Sequence, residues 1–99
     1  MSYVVKADLG SNTGKRGERA SLKVQFDKVQ EGRTIDKSFV RISDYGIFDV
    51  MKKQEDGTFL WSYPIPWEAP IRTYNIDVYA IDTEGNKGPI ETIKFQVTA

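Results

Sequence analysis

One acidic turn has oxygen atoms spaced for a hard cation. Asp82, Glu84 and Asn86 supply carboxylate or amide oxygens at positions i, i+2 and i+4, and calcium takes such ligands from a single loop. Asp8 or Asp44 would complete the shell if the fold brings one of them near. The alternative is a structural turn, because Glu-Gly-Asn is a favourable hairpin turn in which Asp82 accepts backbone N–H bonds. We expect the structural turn and no cofactor, with calcium as the one metal to test.

Aromatic side chains in the predicted loops form a second candidate site. Trp67 lies in a proline-rich stretch, and with Tyr45 and Tyr63 it offers flat faces on which a sugar ring can stack. Aromatic residues in sandwich loops also act as plugs that cover one end of the core. Both interpretations of Tyr45 and Trp67 stay open, and we favour the plug.

The composition removes most catalytic classes. The chain has no histidine and no cysteine, which excludes Ser-His-Asp and Cys-His catalysis, thiolate or imidazole metal ligation, and disulfides. A pair of carboxylates acting on a glycoside remains compatible with the composition. However, the acids fall mostly in turns and on outward strand positions, and the two-sheet sandwich that the strand pattern below predicts has no deep cleft of its own at this length. We therefore expect that the protein is not an enzyme.

Charge and length limit the partners. Lys and Arg total 14, as do Asp and Glu, so the formal net charge is zero, whereas nucleic-acid binding needs a basic surplus. No apolar run approaches the roughly 20 residues that span a bilayer, and the first eight residues lack the features of a signal peptide. With 99 residues, of which 39% are hydrophobic, we expect one monomeric domain over residues 1–99.

A period of two predicts strands along almost the whole chain. The clearest case is the run from Ala20 to Asp27, in which apolar and polar residues alternate over eight positions, as in a strand with one buried face. Phe59, Trp61 and Tyr63 fall on one face of another strand, which predicts that Trp61 belongs to the core. The seven predicted strands cover residues 3–9, 20–27, 38–43, 47–53, 58–64, 74–82 and 93–97.

Glycine and proline separate these strands at the spacing of an all-β sandwich. Asp56-Gly57 lies between two strand-like runs and is the strongest hairpin signal, because glycine takes the positive φ of a tight turn. Pro64, Pro66 and Pro70 exclude a helix or a central strand across the loop that they occupy. The sequence therefore predicts a single all-β domain.

The second half of the chain carries a specific succession of motifs. Residues 56–66 contain an Asp-Gly-aromatic hairpin followed by a proline-containing loop. Residues 74–82 form a Tyr-x-aliphatic-x-aliphatic-x-Ala-x-Asp strand, and a Gly-Asn turn follows and ends at Asn86. This succession resembles the bacterial Ig-like domains of adhesins, surface-layer proteins and cell-wall enzymes. Arg72 departs from the family pattern, in which a glycine commonly precedes the Thr-Tyr pair. The resemblance implies a seven-stranded Ig-like β-sandwich with Greek-key connections.

The resemblance also implies a function and a location. It points to a non-catalytic structural, spacer or adhesion module, repeated in tandem in a larger extracellular or cell-surface bacterial protein, with neighbouring domains of the same chain as partners. Residues 1–99 are then one domain excised from a multidomain chain. The alternative is an accessory module that binds a carbohydrate or protein surface through the end loops around Tyr45 and Trp67. A third hypothesis is a linker that calcium makes rigid.

Two further expectations follow from the predicted sandwich. Tyr74 stands two positions before Ile76, at the start of the penultimate strand, where Ig sandwiches place a tyrosine whose hydroxyl bonds back to nearby backbone. Seven strands that alternate in direction begin at one pole and finish at the other. Met1 and Ala99 should therefore lie about 25–40 Å apart, at opposite ends of the long axis.

Overall fold

Alternating apolar residues produce strands throughout the chain. The computed structural model describes all 99 residues and contains one single-turn 3-10 helix, Ser43–Tyr45, and nine β-strands. The strands are β1 (Val4–Asp8), β2 (Thr13–Lys15), β3 (Arg19–Asp27), β4 (Ile35–Ile42), β5 (Ile47–Val50), β6 (Lys52–Lys53), β7 (Phe59–Pro64), β8 (Thr73–Asp82) and β9 (Glu91–Thr98).

The strands form two sheets that face each other. One sheet has the order β1-β3-β7-β6, and the other has the order β2-β9-β8-β4-β5. All neighbours are antiparallel except β2 and β9, which run parallel. Although β3 and β7 are neighbours, three strands separate them along the chain, so the connections pass repeatedly from one sheet to the other. The predicted all-β sandwich is confirmed.

The predicted number of seven strands is wrong, because two segments behave differently from the simple alternation. Residues 47–53 do not form one strand. The chain changes sheet at the buried Met51, so that β5 pairs with β4 and β6 pairs with β7. Residues 13–15 form β2 against the last strand, and the sequence Thr-Gly-Lys is too short to show a period. These two differences turn seven predicted strands into nine.

The core lies between the inward faces of the two sheets. Leu22 and Val24 of β3 and Phe59 of β7 are almost fully buried, and they face Val40 and Val78 from the other sheet. Trp61 is also buried, as the alternation on β7 predicts. Tyr63, the next inward residue, is only half buried because it lies at the margin of this core.

Tyr74 makes the predicted bond to nearby backbone. Its hydroxyl donates a hydrogen bond of 2.8 Å to the carbonyl oxygen of Pro70, in the loop that leads into β8. The ring itself is buried in the core cluster. The bond therefore ties the proline-rich loop to the strand that follows it.

The two ends of the chain lie at opposite poles, as predicted. Near the first end, the Tyr3 hydroxyl accepts a hydrogen bond from the Ala80 N–H, 3.0 Å away, and donates one to the Pro89 carbonyl. At the other end, the Arg16 N–H donates to the Thr98 carbonyl. The eight residues of β9 separate these groups by roughly 26 Å. We call the two ends the Tyr3 pole and the Thr98 pole.

The strands run along the longest dimension of the molecule. The protein measures 46 × 24 × 17 Å. The ten residues of β8 extend about 33 Å, which fits only the first of these dimensions. The two poles therefore mark the ends of the long axis.

Replacing Trp61 by alanine should destabilise the protein severely. The substitution leaves a cavity in the core, at a cost of about 3–5 kcal/mol in the free energy of unfolding. Trp67→Ala is the matched control, since Trp67 is 75% exposed and the loss of its side chain should have a much smaller effect. Urea unfolding of both variants measures the difference. Equal stability of Trp61→Ala and wild type would show that the face assignment of β7 is wrong.

Replacing Tyr74 by phenylalanine should cost less, because the ring remains in place. The variant loses one hydrogen bond and leaves the Pro70 carbonyl without its partner, which lowers the free energy of unfolding by about 1 kcal/mol. Thermal unfolding measures this loss. An unchanged melting temperature would mean that the hydroxyl does not stabilise the loop.

Candidate functional site

An apolar cleft opens between the two sheets along one edge of the sandwich. β6 pairs only with Phe59 and Leu60 of β7, so the rest of β7 has no neighbouring strand on that side. β5 is the outermost strand of the other sheet. The gap between these strands leads to a cavity of about 50 Å³ with almost entirely hydrophobic walls. Tyr45, Ile47 and Tyr63 contribute to those walls, and each is only partly buried.

Four of the five aromatic rings that line the cleft form two contacting pairs. Trp61 and Tyr63 stack with their ring centroids 5.8 Å apart and an angle of 15° between the planes. Tyr45 meets Tyr74 edge to face, with centroids 6.2 Å apart. The Trp61 Nε1–H donates a hydrogen bond of 3.1 Å to Asp49 Oδ2. Because Asp49 belongs to β5 and Trp61 to β7, this bond joins the two sheets beside the cleft.

Two acidic residues, Asp44 and Glu68, lie at the end of the cleft near Tyr45. Burial of the ring raises the pKa of Tyr45, and the negative charge of Glu68 raises it further. Asp44 lies 3.9 Å from the guanidinium of Arg72, which also lies over the face of Tyr74 at 5.4 Å from its centroid. Arg72 thus compensates one of the acids and leaves Glu68 without an ion pair.

Tyr45 and Trp67, the two predicted ligand-binding residues, occupy different places. Trp67 is exposed at the Thr98 pole and its indole lies against Gly17, where a Cβ atom would stand 2.4 Å from the ring. Gly17 also has a φ of +86°, so both the close indole and the backbone conformation favour glycine at this position. The structure therefore brings Tyr45 and Tyr63 to the cleft and places Trp67 outside its walls.

The acidic turn is held by its own hydrogen bonds. Asp82 is 1% exposed, and its carboxylate accepts bonds from the backbone N–H groups of Glu84 and Asn86 and from the Asn86 amide. Burial alone would raise the pKa of Asp82, but these bonds and the charge of Arg33 together lower it. The Arg33 guanidinium lies 3.6 Å from Asp82 and pairs with Glu84. A cation of the chain itself thus bridges the two carboxylates.

The two acids proposed to complete a calcium shell lie elsewhere. Asp8 belongs to β1 of the other sheet and accepts a bond from the Gly10 N–H. Asp44 lies at the Thr98 pole beside Arg72. No group of three or more acidic, histidine or cysteine side chains is placed to hold a metal ion.

An aromatic patch on the outer face of the second sheet was missed by the sequence analysis. Phe39 stacks on Tyr79 with centroids 5.2 Å apart and meets Phe48 edge to face at 5.6 Å. Phe48 and Val50 of the edge strand are each 58% exposed. Apolar residues occur at both parities in β4 and β5, as in the pair Phe39 and Val40. Apolar residues at both odd and even positions could have predicted the patch, since a strand with a polar outer face has apolar residues at alternate positions only.

Comparison with known proteins shows the fold. No protein-family profile matches the chain, and no curated protein is significantly similar to it in sequence. An endo-β-1,4-mannanase from Thermotoga petrophila matches with a TM-score of 0.71 and 11% identity, over 97% of this chain and 20% of the mannanase chain. Fibronectin(III)-like modules of Clostridium thermocellum CbhA match with a TM-score of 0.68 and 12% identity, over 96% of this chain and 97% of that chain. The chain has the Ig- and fibronectin(III)-like sandwich fold.

This chain covers very different shares of the two similar structures. This chain spans one fifth of the mannanase chain, but almost the whole of the fibronectin(III)-like module. The fold thus makes up almost all of one solved chain and a fifth of the other. In this protein, none of the helical structure is long and apolar enough to cross a membrane.

Asp82 should make stability depend on acid pH. Its folded-state pKa lies below the ordinary value, so its contribution is present above about pH 4 and is lost as the pH falls through the lowered pKa. Asp82→Asn should be less stable than wild type at pH 7 and should show a smaller decrease on acidification. Urea unfolding at neutral and acid pH tests this. Asp36→Asn is the control, because this exposed residue has no ion pair, and an identical profile for both variants would contradict the assignment.

Added calcium should leave the melting temperature unchanged. The Asp82 carboxylate is already bonded within its turn, and Arg33 occupies the position between it and Glu84. A ligand that binds only the folded state would raise the melting temperature by mass action. A rise of several degrees in excess calcium, absent from Asp82→Ala, would contradict this prediction.

Proposed function

We propose that this chain is a non-catalytic module of the bacterial Ig-like type, which spaces or presents other domains of a larger extracellular or cell-surface protein. The observation that carries the proposal is the position of the two chain ends at opposite poles of an elongated sandwich. A following module can join at the Thr98 pole without turning back. The partners are then the neighbouring domains of the same chain.

The anchoring of both ends supports a load-bearing role. Tyr3 packs against Gly88 and bonds to the backbone on either side of the turn between β8 and β9. Thr98 is bonded to the backbone of residues 14–16 next to β2. A force that separates the poles pulls β9 lengthwise past its parallel neighbour β2, so the bonds between them are loaded together and not one after another.

The acidic groups with altered pKa values support a structural assignment. Burial opposes ionisation of Asp77, but bonds from Thr92 and Arg41 lower its pKa. At the hairpin, Asp56 accepts bonds from the backbone and hydroxyl of Thr58, and these bonds lower the pKa of Asp56. A general acid needs its pKa raised towards neutrality, which is the opposite direction. These carboxylates stabilise turns and strands.

The occurrence of the fold in other proteins agrees with this proposal. In the mannanase, the matching region is one fifth of an enzyme chain, and the CbhA structure consists of modules of this kind. In the mannanase, a region of about 100 residues with this fold is thus part of a larger enzyme chain. We extend this arrangement to the present chain, with serial linkage and an adhesive or spacing role.

Binding to a polysaccharide surface through the end loops is the second candidate function. The observation that favours it is the exposed indole of Trp67 at the Thr98 pole, since a flat aromatic face can stack on a sugar ring. Native electrophoresis in gels that contain a soluble mannan or cellulose derivative tests this function. Retardation of wild type but not of Trp67→Ala supports binding, and equal mobility with and without polysaccharide excludes it for that polymer.

Small-angle X-ray scattering of two copies joined in series tests the spacer proposal. The maximum dimension should be close to twice the 46 Å length of one module, because the join lies on the long axis. The single module, measured in parallel, should be a monomer. A tandem protein not much longer than one module would mean that the copies fold back on each other, and the spacer proposal would be wrong.

A further inference from the structure

We propose that the free edge of β5 binds an extended peptide from a partner protein, which inserts one aliphatic side chain into the neighbouring cleft. This interaction is independent of the spacer role. It rests on four features that meet at one edge: unpaired backbone groups, a cavity of suitable size, an exposed apolar surface, and an acidic border.

The unpaired backbone groups belong to Phe48 and Val50. The Met51 N–H donates to the Ser38 carbonyl at 2.8 Å, so this pair is a hydrogen-bonded pair of the antiparallel ladder. Such pairs alternate with pairs whose backbone groups point away from each other. In the register in which Val50 opposes Phe39, the N–H and C=O groups of Val50 and Phe48 therefore point towards the free edge. They offer two donors and two acceptors to an added strand.

This edge carries few of the residues that usually prevent strand addition. Lysine, proline and inward-pointing charges protect the edges of natural sheets. β6, the edge of the other sheet, consists of Lys52 and Lys53. β5 contains neither lysine nor proline. Its one charged residue, Asp49, points inward, and its carboxylate already accepts the bond from Trp61.

The cleft beside β5 has the size of one aliphatic side chain. One water-sized sphere needs about 10–15 Å³ of such a cavity, so the 50 Å³ present accommodates about four non-hydrogen atoms. A leucine or isoleucine side chain has four carbon atoms. The hydrophobic walls disfavour a charged or polar group, which would lose its water without gaining a partner.

The opposite face of the added strand would cover the exposed part of the outer aromatic patch. Successive side chains of a strand point to opposite faces. A peptide whose central side chain lies opposite Ile47, the β5 residue in the wall of the cleft, therefore directs its next side chain towards Phe48 and the third one along towards Val50. Both of these residues are more than half exposed, and aliphatic neighbours would bury them.

The charge around the cleft selects the ends of the peptide. Asp44, Asp49 and Glu68 lie on or near the segments that border the cleft, and Arg72 compensates only Asp44. The two lysines of β6 follow β5 at its other end, so the acidic border lies at the Tyr45 end, and a basic residue at that end of the peptide complements it. A second copy of β5 would bring another Asp49 to the same edge, so a partner peptide fits better than self-association.

A capped peptide of sequence Lys-Thr-Val-Leu-Val-Thr-Lys tests the proposal directly. Titration into the isotope-labelled chain should give saturable changes in the NMR signals of the Phe48 and Val50 amides and of the Trp61 indole N–H. The control peptide has aspartate in place of the central leucine. It should bind about tenfold more weakly or worse, because the side chain no longer fits an apolar cavity.

Two substitutions at one position separate the backbone contact from general damage. Val50→Pro removes the N–H that faces the free edge, a place where proline is tolerated, and it should abolish peptide binding while the chain remains folded. Val50→Thr keeps the N–H and the branched side chain and should bind like wild type. If Val50→Pro is unfolded, hydrogen exchange of the wild-type chain serves as the readout instead. The Val50 amide should become protected from exchange when the peptide is added.

Three outcomes would overturn the proposal. The first is the absence of any saturable change with the leucine peptide. The second is binding that maps to another surface or is the same for the leucine and aspartate peptides. The third is concentration-dependent dimerisation through β5 without peptide, which would identify a second copy of the chain as the occupant.

Discussion

The burial of side chains between two sheets is the interaction on which the whole structure depends, because the chain has no cysteine to link the sheets covalently. Each inward residue stabilises the fold in proportion to the apolar area that it removes from water. Trp61 has a special position among them. Its ring extends from β7 into the core between the sheets, while its Nε1–H donates a hydrogen bond to Asp49 of the other sheet. Packing and hydrogen bonding thus hold the two layers together at the same residue.

The change of sheet at Met51 determines which parts of this sandwich are closed and which remain open. Because the chain leaves one sheet after β5 and joins the other as β6, neither strand is long enough to close the edge. The core is therefore continuous towards the poles but accessible at the cleft near Tyr45. The two proposed roles therefore use different parts of the molecule: the poles for linkage to neighbouring domains, and the edge for a partner peptide.

The sequence predicts those features that depend on residues close together in the chain. Strict alternation identified β3 and the inward position of Trp61, and the spacing of Tyr74 predicted its bond to the preceding loop. Contacts between distant segments were not accessible in this way. Neither the packing of Trp67 on Gly17 nor the pairing of β2 with the last strand leaves a local pattern. The predicted ligand site was therefore divided, with Tyr45 placed in the cleft and Trp67 at a pole.

Amide hydrogen exchange of the free chain, measured residue by residue, tests this description most directly. The central strands β3 and β8 should exchange only through global unfolding. In β5, Ile47 and Asp49 should be protected by their bonds to β4, whereas Phe48 and Val50 should exchange rapidly because their N–H groups face the open edge. Uniform protection along β5 would contradict the open edge. Rapid exchange in β3 or β8 would contradict a core formed by these two sheets.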